Sequence, residues 1–226
     1  MKIYVVTAFV NLLDGPLNES IIKRAREKGL VDIKFFDLRD FTEDKHRQID
    51  DYPYGGGPGM ILKPEPFFKA VEHIREVENL KSPEIILMTP QGKSYNQNKA
   101  KELSGLDELI FLCGHYKGVD ERIREFLVTD EISIGDYILT GGELAAMVVI
   151  DSVVRLLPGA IGDFDSAATD SFENGLLDYP HYTRPEDFLG KRVPDVLLSG
   201  HHAKIEEWRK QKAVERTKAR RLDLLK

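Results

Sequence analysis

The sequence contains a single cysteine, Cys113, in 226 residues. One cysteine excludes a disulfide within the chain and also excludes a CxxC metal site. Cys113 ends the apolar run LIFLC, so we expect a buried strand cysteine, with a reactive thiol as the alternative. No apolar run approaches the roughly 18 residues that span a bilayer, and the N-terminus lacks a small-residue cleavage pattern. These absences predict a cytoplasmic protein.

The familiar nucleotide-binding motifs are also absent. The GKS at 92–94 resembles the end of a phosphate-binding loop, but the first glycine of that motif would fall at Leu87. No G-x-G-x-x-G follows a strand pattern, which argues against a conventional dinucleotide site. His201 and His202 lack zinc-ligand spacing with other Cys, His or acidic residues. We therefore expect surface or helix-capping roles for them and no metal site.

The formal net charge of −6 is unevenly distributed along the chain. Residues 204–226 hold nine Lys and Arg against four Asp and Glu, a local charge of +5, so residues 1–203 carry −11. An acidic body with a basic C-terminal segment fits a polyanionic partner such as nucleic acid. From charge alone, a solvated basic helix face is an equally good interpretation.

Strand patterns alternate with helical patterns along the first 160 residues. The strand patterns are KIYVVTAF, VDIKFFDL, EIILMT, ELIFLC and EISIGDYIL. Helical spacing appears between them, including SYNQNKAKELSG, where Ser94 and Gln97 have the spacing of a capping box. The segment ELAAMVVIDSVVRLL is apolar nearly all round, which predicts a buried helix. This alternation predicts an α/β fold with a parallel sheet.

The character of the sequence changes after Gly159. AIGDFDSAATDSFENG has no sustained periodicity, and the remainder is polar and helix-prone. We therefore predict a first domain over residues 1–160, an interdomain linker over 161–172 and a small all-helical domain over 173–226. Because nothing in the linker can form a core, we expect it to be mobile in the free protein.

Glycine-rich loops mark the predicted ligand site. Gly55, Gly56, Gly57 and Gly59 surround Pro58, and such a run has a high entropic cost unless positive φ or close approach of another molecule requires it. The last three strand patterns also run into TPQG, CGHYKG and TGG. Parallel sheets bind ligands at the C-terminal ends of their strands, so these loops predict a ligand site, with ordinary turns as the alternative.

Six segments in chain order resemble the bacterial tRNA (guanine-N1)-methyltransferases of the TrmD family, within the SPOUT superfamily. They are DKHRQIDDYPYGGGPGM, CGHYKGVDERI, SIGDYILTGGELAAM, DSVVRLLPG, DSFENGLLDYPHYTRPE and LLSGHH. The resemblance implies a SPOUT-type parallel sheet with a deep trefoil knot, and a homodimer with the active site at the subunit interface. It also implies methyl transfer from S-adenosyl-L-methionine to N1 of the guanosine immediately 3′ of the anticodon in tRNA.

The resemblance further implies the residues of the site. Asp170 matches the general base, and Arg155 matches the group that stabilises charge developing on the guanine. Taken alone, Asp170 would more often cap a helix and Arg155 would more often be an ion-paired helix residue. The implied cofactor residues are Thr89, Pro90, Gln91, Gly92, Gly114, Ile134, Gly135, Asp136, Tyr137, Ile138, Leu139, Gly141 and Gly142.

Substrate contacts are implied at Gly59, at Lys117 and in the C-terminal domain. That domain is expected to grip tRNA through Arg184, His201, His202, Arg209, Lys212 and Arg216. Lys117 departs from the family pattern, because many members carry a glutamate there that is associated with recognition of the target dinucleotide. The family is also associated with dependence on magnesium, although the sequence offers no ligand cluster for it.

Two alternative functions stay open at this point. The first is a SPOUT methyltransferase that acts at another RNA position, against which the segment GLLDYPHYTRPE argues. The second is a non-catalytic RNA-binding protein of the same fold. Retention of Arg155 and Asp170 argues against that second alternative, whereas Lys117 keeps it open.

Overall fold

The structure, a computed structural model, describes residues 1–161 and 170–225. These residues form two compact units, the first ending at 161 and the second beginning at 170. The predicted linker and its predicted mobility concern residues 161–172, of which 162–169 lie outside the described residues. The roles assigned to the two domains remain predictions.

A five-stranded parallel sheet forms the centre of the first unit. Its strands follow the spatial order β2-β1-β6-β5-β7, and every neighbouring pair is parallel. A separate antiparallel pair, β3 with β4, flanks the glycine-rich loop. The parallel sheet confirms the α/β prediction. The strands are β1 (Lys2–Thr7), β2 (Asp32–Asp37), β3 (Asp50–Asp51), β4 (Ile61–Leu62), β5 (Glu84–Ser94), β6 (Glu108–Cys113) and β7 (Asp130–Ser133).

Helices cover both faces of this sheet, which is why β1, β6 and the first half of β5 are nearly continuous apolar runs. In β1, Ile3 and Val5 belong to one buried cluster, and Tyr4 and Val6 belong to the other. The first cluster includes side chains of α2, α4 and α6, and the second includes side chains of α3 and α5. No described helix is long and apolar enough to cross a membrane. The helices are α1 (Asn11–Asp14), α2 (Ser20–Glu27), α3 (Pro64–Val77), α4 (Gln97–Ser104), α5 (Glu121–Phe126) and α6 (Glu143–Val154).

Cys113 is buried at the end of β6, as predicted from its apolar run. Its side chain is 1% exposed, and burial raises the pKa of its thiol well above the usual value, with a smaller contribution from Glu143. A thiol that stays protonated is a poor nucleophile. The structure therefore supports the buried strand cysteine over the reactive thiol.

The second unit combines helices with a short hairpin, so the prediction of an all-helical domain was wrong in that respect. Strands β8 (Asp187–Phe188) and β9 (Lys191–Arg192) pair antiparallel, and helices α7 (Asp195–Leu198) and α8 (His202–Arg220) follow. The hairpin turns at Leu189 and Gly190, which both have positive φ. Strands of two residues carry no alternating apolar pattern, and a sequence pattern therefore cannot reveal them.

Glu78 links the end of α3 to the first two strands. Its carboxylate accepts hydrogen bonds from the Tyr4 hydroxyl at 3.1 Å and from the Lys34 ammonium at 2.7 Å. The hydrogen bond from Lys34 lowers the pKa of Glu78. Burial, reinforced by Glu78, raises the pKa of Tyr4. Glu78 therefore provides a hydrogen-bond acceptor for the hydroxyl of a tyrosine that is buried in the core.

Replacing Glu78 with alanine is expected to lower the free energy of unfolding by about 1–3 kcal/mol, because the buried Tyr4 hydroxyl loses its acceptor. The lowered pKa makes this stabilisation complete above the pKa of an unfolded glutamate, and it is lost as the pH falls through the folded pKa. Urea unfolding of both proteins at neutral and acidic pH measures the difference. A difference that is zero, or that does not shrink in acid, would contradict this role.

Candidate functional site

A cavity of about 370 Å³ lies at the C-terminal edge of β5, β6 and β7. Its walls come from residues 87–91, 114–119 and 132–135, from 137–142, and from Arg124 and Ala145. Volumes of this size are typical of small-molecule sites, and parallel sheets bind ligands at this edge. The structure thus brings the three predicted loops together around one cavity.

Most of the predicted cofactor residues line this cavity, but Gly92 and Asp136 do not. Gly92 lies within β5, where an added Cβ would fall 2.5 Å from the backbone of Glu131. Its missing side chain therefore serves the close packing of β5 against β7. The lining members are Thr89, Pro90, Gln91, Gly114, Ile134, Gly135, Tyr137, Ile138, Leu139, Gly141 and Gly142.

The strand boundaries around the cavity differ from the sequence prediction. The pattern EIILMT predicts that β5 ends at Thr89, but β5 continues to Ser94 with a shift in pairing between Met88 and Lys93. The pattern EISIGDYIL predicts a strand to Leu139, but β7 ends at Ser133. Residues 134–142 are therefore a loop, and they form one wall of the cavity.

Two of the loops pass very close to each other at Gly142. The Gly142 N–H donates to the Gly114 carbonyl at 2.9 Å, and His115 pairs with Gly141 in an isolated antiparallel bridge. A Cβ at 142 would lie 2.9 Å from the Cα of Cys113. Only glycine permits this approach, because the neighbouring atom belongs to the backbone of a central strand.

Positive φ, one of the two reasons offered for the glycine-rich loop, is present in the structure. Gly55, Gly56, Gly57 and Gly59 have φ of 84°, 78°, 120° and 92°. The loop also abuts the cavity wall, since a Cβ at 59 would fall 2.7 Å from the Cγ of Lys117. Lys117 is held there by a hydrogen bond from its N–H to the Met60 carbonyl at 3.1 Å.

The charged groups that line the cavity are cationic. Arg124 is mostly buried and donates to the Thr89 hydroxyl at 3.0 Å, and it pairs with Glu131, which offsets its charge. Lys117 is exposed, and its backbone is fixed against the glycine-rich loop. Tyr137 and Ile138 are exposed at the cavity and supply aromatic and apolar surface. Among the described residues that line the cavity, Lys117 is therefore the cation that is exposed to solvent.

The two predicted catalytic residues lie in different units. Arg155 follows α6 as its C-cap residue, and its N–H donates to the Asp151 carbonyl at 3.1 Å. Asp170 begins the described part of the second unit, where its carbonyl accepts from the Glu173 N–H at 3.3 Å. Both side chains are partly buried, and their roles stay predictions.

In the second unit, the residues expected to bind tRNA divide into two groups. Arg184, His201 and His202 are exposed. The three expected cations of α8 already have contacts within the unit, which makes them weaker candidates for phosphate binding. Arg209 lies over the Tyr179 ring at 5.0 Å, Lys212 pairs with Glu215 at 2.6 Å, and Arg216 donates to the Asp178 carbonyl at 3.1 Å.

Glu143, the first residue of α6, was not assigned a role from its sequence pattern. Its side chain is only 2% exposed, and its Oε1 accepts from the Thr7 hydroxyl at 2.6 Å. The signal was present as an acidic residue at the start of the apolar pattern ELAAMVVIDSVV. Its partner could not be read from sequence, because 136 positions separate the two residues.

The described part of the chain offers no set of side-chain ligands for magnesium. No group of three or more His, Cys, Asp or Glu side chains is arranged there to hold a metal ion. His201 and His202 are exposed at the start of α8. The described residues thus do not fit a metal site, and dependence on magnesium remains only an expectation from the family resemblance.

Comparison with known proteins gives matches along the whole chain. The family model described as tRNA (Guanine-1)-methyltransferase TrmD matches residues 1–226. The tRNA (guanine-N(1)-)-methyltransferases of Anoxybacillus flavithermus and Brevibacillus brevis are 60% and 61% identical over 225 residues, covering 100% of this chain and 91% of each relative. The enzyme of Shouchella clausii is 58% identical over 226 residues, covering 100% of this chain and 92% of that relative.

Proposed function

Because the chain belongs to the tRNA (guanine-1)-methyltransferase family described as TrmD, we propose that it methylates N1 of the guanosine immediately 3′ of the anticodon. S-adenosyl-L-methionine is the methyl donor in this proposal. The observation that carries it is the cavity beside the parallel sheet, which residues 87–91 of β5 and the loops after β6 and β7 enclose. The proposal includes a cytoplasmic location, which the tRNA substrate supports.

The cavity has the chemistry that S-adenosylmethionine requires. Ile134 and Leu139 are partly buried and line it, so they offer apolar surface to the adenine. The aromatic ring of Tyr137 also lines it and provides a π face for a cation. When bound, S-adenosylmethionine supplies a methyl group on a sulfonium, which makes the methyl carbon electrophilic. Main-chain groups of residues 134–142 recognise the edge of the adenine in this proposal.

Asp170 and Arg155 supply the proton transfer and charge stabilisation in this mechanism. Guanine N1 carries a proton at neutral pH, so methylation requires that this proton leave as N1 bonds to the methyl carbon. Asp170 accepts the proton, and each unit of pKa mismatch costs about 1.4 kcal/mol. Negative charge develops on O6, and the Arg155 guanidinium stabilises it. The residues that line the cavity would hold the cofactor, which would give up its methyl group and leave as S-adenosylhomocysteine.

Gly59, Lys117 and the second unit bind the tRNA in this proposal. The missing side chain of Gly59 leaves its space to the Lys117 side chain, and a flipped guanine binds beside these two residues in this proposal. Arg184, His201 and His202 offer exposed side chains for phosphate contacts. A lysine at 117 can donate to a base oxygen or a phosphate, whereas a glutamate there can accept from a base.

We propose that the chain forms a homodimer through α1 and α6, with the active site at the subunit interface. α6 is apolar nearly all round, yet Leu144 and Val148 remain exposed one turn apart, and so does Leu12 in the adjoining α1. Exposed apolar side chains on neighbouring helices are typical of an oligomer interface.

Val148→Asp should give a monomer in sedimentation analysis. Val77→Asp is the matched control, because Val77 is also exposed but lies on α3.

The trefoil knot of the SPOUT superfamily is also part of this proposal. It is supported by the contact between residues 141–142 and residues 113–115, where a late loop passes against the end of a central strand. The loop then leads directly into α6, which packs against the same sheet.

Product analysis tests the proposed function. The protein is incubated with labelled S-adenosylmethionine and an unmodified tRNA transcript, and the RNA is then digested to nucleosides and separated. We expect the label in 1-methylguanosine. Label in another nucleoside would favour a SPOUT methyltransferase that acts at another position in RNA. Binding of S-adenosylmethionine without methyl transfer would favour a non-catalytic RNA-binding protein.

A further inference from the structure

We propose that Thr7, Glu143 and His115 form a hydrogen-bonded chain that aims the His115 Nε2 at a hydrogen-bond donor of bound S-adenosylmethionine. This inference rests on the proposed use of the cavity for that cofactor. The three residues come from the end of β1, the start of α6 and the loop after β6, and His115 lines the cavity.

The first link of the chain is fixed by the Thr7 hydroxyl. It donates to the Glu143 Oε1 at 2.6 Å, and it accepts from the Phe9 N–H at 2.9 Å. Because a hydroxyl has one proton, the bond from Phe9 leaves that proton directed at Glu143. Glu143 is also the first residue of α6, where the helix dipole favours a carboxylate.

The second contact of the chain, between Glu143 and His115, lies beside Gly141. A Cβ at 141 would lie 2.2 Å from the Glu143 Oε2 and 2.7 Å from the His115 Nδ1. Both atoms therefore border the volume that a side chain at 141 would fill. The His115 Nδ1 is buried and has no hydrogen-bond partner among the described residues.

The His115 Nδ1 and the Glu143 Oε2 are chemically complementary. An imidazole N–H is a donor, and an ionised carboxylate only accepts. A small rotation of either side chain, or one bridging water, completes the hydrogen bond from His115 to Glu143. Glycine at 141 is then needed for this pairing, because any side chain there would collide with both groups.

The pairing decides which nitrogen faces the cavity. A neutral imidazole that donates from Nδ1 presents Nε2 as an acceptor. Ring packing holds it in place, with Phe9 at 4.5 Å and Tyr116 at 4.8 Å between ring centroids. His115 is thus expected to accept from a hydroxyl or amino group of the cofactor.

Nitrogen NMR of histidine-labelled protein tests the chain without ligand or activity. At a pH where His115 is neutral, we expect the Nδ1–H tautomer in the wild type and loss of that preference in Glu143→Gln. A wild-type His115 in the Nε2–H form, or an identical tautomer in both proteins, would overturn the inference. A purely structural role of Glu143 would not move the tautomer.

Calorimetric binding of S-adenosylhomocysteine tests the contact with the ligand. His115→Ala and Glu143→Gln are each expected to weaken Kd by about 3- to 10-fold. The double variant should bind no more weakly than His115→Ala, because both changes remove one contact. Thermal unfolding of each variant checks that it is folded.

Two matched controls come from outside the cavity. His73 also packs against two aromatic rings, those of Phe36 and Phe41, and Glu78 also accepts from a core hydroxyl. His73→Ala and Glu78→Gln should leave Kd unchanged. A wild type that does not bind S-adenosylhomocysteine would refute the proposed function. A wild type that binds, with His115→Ala and Glu143→Gln binding equally well, would refute this inference alone.

Discussion

Replacing Asp170 with asparagine is expected to lower kcat for methyl transfer by about 10²–10⁴-fold, the usual contribution of a positioned general base. The amide has nearly the shape of the carboxylate but cannot take the N1 proton. Affinity for S-adenosylmethionine should stay at the wild-type value, because the cavity is built by residues 87–145. Single-turnover transfer to tRNA and calorimetric binding of the cofactor separate the two effects.

The matched control for this variant is Asp195→Asn. Asp195 is an exposed aspartate of the same unit, in the first turn of α7, and its replacement should leave kcat unchanged. If Asp170→Asn retained wild-type kcat while Asp195→Asn behaved as expected, Asp170 would have a structural role and another group would have to accept the proton.

Replacing Gly142 with alanine is expected to abolish measurable cofactor binding and to destabilise the first unit by about 1–3 kcal/mol. The added Cβ would lie 2.9 Å from the Cys113 Cα, 3.2 Å from the Gly114 nitrogen and 3.2 Å from the Met88 Cβ. Neither strand can yield, because β5 and β6 are paired along the centre of the sheet. The loop must move instead, which breaks the hydrogen bond to Gly114 and opens the cavity.

Gly15→Ala is the matched control for Gly142→Ala. Gly15 has a helical φ of −64°, and a Cβ there would meet nothing within 4 Å. Alanine should therefore be neutral or slightly stabilising at that position. Calorimetric binding and thermal unfolding of the two variants provide the comparison. Gly142→Ala with wild-type affinity and wild-type melting would show that the contact of the two loops does not shape the cavity.

The parallel sheet could be predicted from sequence because local patterns dictate it. Each central strand is a short apolar run, buried on both faces, and helical spacing separates one run from the next. The positive φ of the glycine-rich loop was predictable for a similar reason, since only glycine adopts that backbone without strain. In both cases the residue types themselves carry the information.

Features that depend on distant partners could not be predicted in this way. β5 continues through Pro90 and Gly92 because β7 lies alongside to pair with it. The predicted capping box of Ser94 and Gln97 was wrong, because the Asn96 side chain accepts from the Lys99 N–H at 3.1 Å and begins α4. Ser94 instead belongs to the strand.

The candidate site was partly predictable for the same physical reason. Its loops are local segments at strand ends, and so their glycines and tyrosines could be picked out along the sequence. The pairing of Thr7 with Glu143 brings together two ends of the first unit, and no local pattern specifies it. Gly92 is an example of a misleading local pattern. Its position in TPQG predicted a contact with the ligand, whereas the structure shows that its missing side chain allows β5 and β7 to pack closely.

The most direct test of the central claim uses two transcripts of a leucine tRNA. The first carries guanosine at the last anticodon position and at the next position, and the second has the latter guanosine changed to adenosine. Transfer of a labelled methyl group from S-adenosylmethionine is measured for both. We expect methylation of the first transcript only, with Lys117 in place. Equal labelling of both transcripts, or no labelling of either by protein that binds the cofactor, would contradict it.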